Sequence, residues 1–307
     1  MRIASIDLGT NTFRMMVADA DRGGIKKLHV EREITRLSGG FRAEYGLISA
    51  EAAERSIRAV SRFSEIAKRC CVENLRAVAT SVVREARNGV EFIQRIKRET
   101  AIDVEIITWE EEARLTVLGV LNSVPLNTDY ALIFDIGGGS TEYVLLKGGN
   151  IIRMGSASLG VVRLCEKHIG GVGIPAEGGL DALSGEIEQV MSTELDSFDK
   201  EFGGELTLIS TAGTPTTLAS IDLGEEPYNP ELVNGHVLSR NALRVMFDTL
   251  VNLDIRGRAR MRGMEKGRED LLIPGCMILI KTMEMFYKDE VTVSDGGLLE
   301  GIAYSIM

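Results

Sequence analysis

Two stretches of this chain are built on one pattern. Ile6-Asp7-Leu8-Gly9-Thr10-Asn11-Thr12 and Phe134-Asp135-Ile136-Gly137-Gly138-Gly139-Ser140-Thr141 share an order: buried strand, Asp, apolar residue, Gly, small polar residues, next strand. The offset is far longer than the roughly 20 to 50 residues of a solenoid repeat. Duplication of a whole domain is the economical explanation, and 307 residues accommodate two domains of about 150 each. The repeat predicts an α/β protein with a Gly-rich turn on each of two facing walls of an interdomain cleft.

The periodicities between the repeats agree. Ile3–Asp7, Phe13–Ala20 and Lys27–Leu37 read as strands, rich in apolar and β-branched residues. Ser49–Lys68 places Ala53, Ile57, Val60, Phe63 and Ala67 at helical spacing. Leu75–Thr80, a helix near Gly89–Glu99 and a strand at Val104–Thr108 complete an alternating layer. The pattern restarts with strands at Tyr130–Ile136, Thr141–Leu146 and Ile151–Met154. Pro125 and Asn127-Thr128-Asp129 break the preceding helix. The expected domains are therefore 1–124 and 125–307, with a last helix within 297–307 packing back on the first.

Composition removes several function classes. A net charge of −10 argues against nonspecific nucleic-acid binding and requires a local basic cluster for any polyanionic ligand. Cys70, Cys71, Cys165 and Cys276 lack CxxC spacing, which disfavours a zinc site or a disulfide framework and suits a reducing cytoplasm. No apolar run reaches the roughly 18 residues of a membrane span. His29, His168 and His236 stand in no HExxH or GxSxG context.

The chemistry concentrates in the turns. Gly137-Gly138-Gly139 removes every Cβ, so that backbone N–H groups can converge on a phosphate, with Ser140 and Thr141 following. Asp135 and Glu142 flank it with the hard oxygen ligands that Mg²⁺ takes. Asp7, Gly9, Thr10 and Asn11 read as the opposing phosphate loop, although these are also plain turn formers. In Ser210-Thr211-Ala212-Gly213-Thr214, a helix start after a strand, Gly213 and Thr214 offer anion donors or merely a cap. Thr108-Trp109-Glu110-Glu111-Glu112 has two compatible readings: a capping box of Thr108 with Glu111, and Glu112 as a carboxylate able to orient a water. Arg84 lies where a strand runs into a helix, a suitable place for bidentate phosphate recognition, and Arg87, Arg114, Arg163 and Arg268 are further basic candidates.

Taken in order, these residues resemble the exopolyphosphatase and guanosine pentaphosphate phosphohydrolase family of the actin-like ATPase superfamily. The resemblance rests on Ser5 through Arg14, Thr80 through Glu85, Glu111 through Leu115, Asp135 through Glu142, Leu159 through Leu164, Thr211 through Thr214, Pro274-Gly275 and Gly296 through Gly301. It implies two ribonuclease H-like domains and hydrolysis of the terminal phosphoanhydride of polyphosphate or guanosine pentaphosphate. It implies Mg²⁺ or another divalent cation. By the same resemblance Glu112 is the catalytic base, Asp135 and Glu142 position metal and water with Asp7 beside them, and Arg84 contacts substrate phosphate. Ala212 departs from the serine of many relatives. A superfamily kinase and a non-catalytic alarmone sensor would use the same loops. The default assembly to expect is a homodimer.

Overall fold

The computed structural model describes residues 1–39, 46–170, 175, 177–198 and 206–307. It divides into two compact units, Met1–Gly119 with Gly297–Met307, and Val120–Gly296.

The first unit opens with three antiparallel strands, β1 (Arg2–Leu8), β2 (Thr12–Asp21) and β3 (Gly24–Ile34). Helix α1 (Ala50–Arg69) leads to β4 (Asn74–Ala79), then α2 (Ser81–Glu85), α3 (Gly89–Thr100), β5 (Val104–Ile106) and α4 (Trp109–Leu121). The sheet order is β3-β2-β1-β4-β5, with β4 and β5 parallel to β1. Helix α1 starts where the Ser49 hydroxyl accepts from the Ala52 N–H at 3.2 Å. It buries Ala52, Ile57, Val60, Phe63 and Ala67 against the sheet. Ala52, rather than the expected Ala53, completes that stripe.

The second unit repeats the plan with β6 (Tyr130–Ile136), β7 (Thr141–Lys147), β8 (Asn150–Ala157), α5 (Val161–His168), α6 (Gly179–Glu194), β9 (Leu206–Thr211) and α7 (Gly213–Leu223). It continues through α8 (Pro230–Val233), β10 (Val237–Ser239), α9 (Arg240–Asn252), α10 (Ile255–Arg258), α11 (Leu272–Met285) and β11 (Glu290–Val293). Again three antiparallel strands are followed by parallel additions, in the order β8-β7-β6-β9-β11-β10. The added edge strand β10 is antiparallel to β11. The shared topology makes the sequence repeat a structural one.

Two predicted strands end early. The N–H groups of Thr35 and Arg36 turn to the Asn11 carbonyl at 3.0 and 2.9 Å, and Arg36 takes a left-handed φ of 44°, so β3 stops at Ile34 instead of Leu37. β5 ends at Ile106, short of Thr108, because Thr108 is needed at the start of α4. No described helix is long and apolar enough to cross a membrane.

The final helix, α12 (Leu298–Tyr304), belongs to the first unit. Leu299 and Ala303 pack on Ile3, Met16 and Ala18 of β1 and β2. Backbones touch where α12 meets α4: a Cβ on Gly301 would stand 1.7 Å from the Leu115 carbonyl oxygen, and one on Gly119 1.9 Å from that of Gly297. Backbone cannot yield as a side chain can, so Gly301→Ala is expected to destabilise the first unit by at least ~2 kcal/mol. A denaturant titration of the variant against the parent checks this.

Candidate active site

In the first unit the β1–β2 hairpin places Asp7 directly across from Arg14. Asp7 is 3% exposed, and its Oδ2 accepts from Arg14 Nε at 3.0 Å and Nη2 at 2.7 Å. Its Oδ1 is buried with no hydrogen-bond partner. A buried carboxylate oxygen is costly to leave unpaired, so this atom is held ready for an incoming donor or cation.

The turn beyond Asp7 admits no side chain at Gly9, where a Cβ would lie 2.9 Å from the Thr12 carbonyl oxygen. The Asn11 carbonyl accepts from Thr35 and Arg36, and the Thr10 carbonyl from Ser38. Tying the carbonyls to the segment after β3 fixes the turn. The N–H groups of Gly9, Thr10 and Asn11 have no acceptor among the described residues.

Arg84 and Glu112 meet in the same unit. Arg84 Nη1 donates to the Ile107 carbonyl at 3.0 Å and to Glu112 Oε2 at 3.1 Å. Its Nε and Nη2 make no bond among the described residues. The three consecutive glutamates of α4 separate by helical phase. Glu112 is buried, whereas Glu111 turns its carboxylate to Arg76 at 3.2 Å. That corrects the expected capping box: the Thr108 hydroxyl accepts the Glu111 N–H at 3.3 Å, but the carboxylate of Glu111 does not return the bond.

In the second unit the equivalent hairpin sets Asp135 opposite Glu142. Both are buried, at 9% and 2% exposure. Where the first unit pairs an acid with an arginine, this one sets two acids across from each other. Glu142 Oε1 accepts from the Ser140 hydroxyl at 2.7 Å and the Ser156 hydroxyl at 3.0 Å, which orients the carboxylate.

The glycine turn is braced from behind. The N–H groups of Val161 and Val162, at the start of α5, donate to the carbonyls of Gly137 and Gly138, each at 3.1 Å. The Gly137 N–H closes the turn onto the Ser140 carbonyl at 3.0 Å, so Gly137 offers no N–H to a ligand. The N–H groups of Gly138, Gly139 and Ser140 have no acceptor among the described residues. Thr141 is fully buried with its hydroxyl on the Leu159 carbonyl at 2.6 Å, which gives it a structural place.

Gly213 begins α7, with the guanidinium of Arg268 lying across it: a Cβ there would be 1.9 Å from Arg268 Cζ. Glu265 Oε2 accepts from Arg268 Nε and from the Thr217 hydroxyl. Thr214 is buried against Gly275 of α11. Ala212 has a φ of 80°, which suits glycine better than alanine.

No group of three or more His, Cys, Asp or Glu among the described residues is arranged to hold a metal ion unaided. Mg²⁺ commonly takes one or two carboxylates and completes its shell with water and substrate phosphate. Within the second unit the opposed acids Asp135 and Glu142 are of the type that fits that demand, and within the first unit Asp7 Oδ1 is a further such oxygen.

The sequence profile of the Ppx/GppA phosphatase family matches residues 16–307. The chain belongs to this family. It is 29% identical to a guanosine-5'-triphosphate,3'-diphosphate pyrophosphatase of Photobacterium profundum, over 99% of this chain and 59% of that protein. It is 27% identical to exopolyphosphatase 2 of Mycobacterium tuberculosis, over 99% of this chain and 98% of that protein. A crystal structure of the Aquifex aeolicus family member superposes with a TM-score of 0.83 at 33% identity, covering 100% of this chain and 97% of that one. With several of its curated relatives the chain spans only about half of their length. The fold is that of the Ppx/GppA proteins, two-domain and ribonuclease H-like.

Sequence reasoning assigned no role to Gly160, though it lies in the Leu159–Leu164 motif, and did not single out Ser156. Gly160 precedes α5, and a Cβ on it would stand 2.2 Å from the Gly139 carbonyl carbon and 2.3 Å from the Gly138 oxygen. The turn can keep its shape only with glycine there. Gly160→Ala is expected to leave the helix content intact and weaken inorganic phosphate binding at least ~10-fold, about 1.4 kcal/mol. Circular dichroism with calorimetric titration of phosphate reads both.

Proposed function

We propose that this protein releases the terminal phosphate of inorganic polyphosphate, guanosine pentaphosphate or both, by attack of a water on the last phosphoanhydride bond. The observation that carries this reading is Glu112, the one glutamate of its trio that is buried and held by an arginine with donors to spare. The pyrophosphatase and exopolyphosphatase names of its relatives give the substrate class.

In this reading Glu112 accepts the proton of the attacking water. Arg84 fixes the carboxylate through Nη1 and presents Nε and Nη2 to a phosphate oxygen. The N–H groups of Gly138, Gly139 and Ser140, and those of Gly9, Thr10 and Asn11, bind phosphate oxygens without reorganising, because the carbonyls around them are already engaged. Gly213 and Thr214 contribute the donors of a helix start. Asp135, Glu142 and Asp7 would hold Mg²⁺ or another divalent cation. Bound there, the ion would neutralise charge on the phosphate oxygens. Glu142, oriented by Ser140 and Ser156, positions the water. The free cysteines suit a cytoplasmic setting.

Phosphate release with Mg²⁺ on short polyphosphate, long polyphosphate, guanosine pentaphosphate and ATP, alongside Glu112→Gln, tests the reading. Cleavage of one of the first three substrates, lowered at least ~100-fold by the substitution, is the expected result for loss of a general base. If guanosine pentaphosphate binds and nothing is cleaved, the protein is a sensor and the assignment of Glu112 falls. Phosphate transfer from ATP to a sugar would instead make it a kinase.

A further inference from the structure

A second basic feature lies outside the residues placed above. Between Ile255 and Arg268 the chain reads Ile-Arg-Gly-Arg-Ala-Arg-Met-Arg-Gly-Met-Glu-Lys-Gly-Arg, six basic residues against one acid in a protein of net charge −10. Arg256, Arg260, Arg262 and Lys266 are exposed, and none of them makes an ion pair among the described residues. Glu265, the acid inside the segment, is taken by Arg268, and of the flanking acids Asp254 accepts from the Gly257 N–H at 2.6 Å and Glu269 from the Gly267 N–H at 3.0 Å.

The segment is anchored rather than loose. Arg258 is fully buried and ties its two ends together, Nε donating to the Leu250 carbonyl at 2.7 Å and Nη1 to the Glu269 carbonyl at 3.1 Å. Met261 and Met264 pack on the core of the unit, which holds the neighbouring Arg260 and Arg262 outward. Gly263, at φ 79°, presses against α7, with a would-be Cβ 2.2 Å from the Ser220 carbonyl oxygen. Contacts at Ser220, Thr217 and Gly213 follow one face of α7, so residues 263–268 run antiparallel along it. Over those seven residues the helix rises about 10 Å. The strip ends with Arg268 across Gly213, at the turn assigned to phosphate.

We propose that this strip binds the trailing phosphates of extended inorganic polyphosphate whose end is held at the Gly213 turn; the proposal rests on the hydrolase reading above. Guanidinium groups match phosphate oxygens bidentately, and several exposed ones within seven residues of chain on an otherwise repelling protein localise a linear polyanion. The segment has no aromatic residue on which a nucleic-acid base could stack, which favours inorganic chains over RNA. Guanosine pentaphosphate has no trailing chain to lay along it, so the strip makes length the basis of selection.

The test is the triple variant Arg256→Gln, Arg260→Gln, Arg262→Gln of the full chain, assayed on long-chain polyphosphate and on tripolyphosphate. All three side chains are exposed and unpaired, so folding is not at stake. The expected result is a KM for the long chain raised ~10-fold, or about 1.4 kcal/mol, with kcat and the tripolyphosphate KM within about twofold of the parent. The corresponding triple lysine variant should keep most of the long-chain affinity, and added salt should erase the difference between parent and glutamine variant. Equal effects on both lengths, or none, overturn the proposal. So does RNA that displaces long-chain polyphosphate at equal concentration of phosphate. Long-chain binding is also measured without turnover. If the parent hydrolyses nothing, loss of that binding in the variant keeps the strip and rejects the hydrolase, whereas unchanged binding rejects the strip itself.

Discussion

Each unit depends on one cramped spot, where the first glycine after a β-strand meets a carbonyl oxygen from the residue three positions on. A Cβ on Gly9 would lie 2.9 Å from the Thr12 oxygen, and one on Gly137 2.9 Å from the Ser140 oxygen. The coincidence of the two distances is the duplication seen at atomic scale. Because the chain reverses so tightly, the strands on either side enter register at once, Leu8 with Phe13 and Ile136 with Thr141. That register decides which side chains face each other one step further in, Asp7 with Arg14 and Asp135 with Glu142. Geometry of the turn and chemistry of the acids therefore have one origin.

The two copies have diverged at the second member of that pair. An arginine opposite Asp7 neutralises one carboxylate oxygen and leaves the other fixed and unpartnered. A glutamate opposite Asp135 sets two buried carboxylates side by side, one of them oriented by Ser140 and Ser156. The two copies thus carry different charge at one position, although their strand register is alike. Duplication supplied two turns of one geometry, and a single position per copy gave each a different pair of side chains.

How much of this was legible follows from the range of each interaction. The repeated Asp-x-Gly pattern is local, so both turns and both acids could be read from the chain. Arg14 was within reach, since counting back across a hairpin closed at Gly9–Thr12 pairs it with Asp7. Glu111 and Glu112 are neighbours in sequence and differ by about 100° of helical phase, so that one meets Arg76 and the other Arg84. The sequence separates the two, Glu111 to a cap and Glu112 to the water, and the packing replaces the cap partner of Glu111 by Arg76. Gly160 stood in a motif of the family resemblance, but its purpose could not be read there because it is a close approach to residues more than twenty positions earlier. Thr141 misled for the opposite reason: a hydroxyl at the end of a phosphate turn looks like a ligand donor, yet the strand geometry turns it inward to Leu159.

The acidic composition also takes on a different meaning once the basic residues are located. A protein of net charge −10 that acts on polyanions gains selectivity if its attraction is confined to few places, because every wrong approach is repelled. Arg84 sits half-buried beside Glu112, and Arg268 lies over Gly213 with its charge shared with Glu265. These cations act at contact distance and contribute little field beyond it. Arg256, Arg260, Arg262 and Lys266 are different, since none of them makes an ion pair among the described residues. Alternation with Met261 and Met264 keeps them outside, and the buried Arg258 keeps the whole segment in place. A sequence reading that weighs arginines by number would count Arg258 with the rest. Burial separates the one that builds the strip from those that present it.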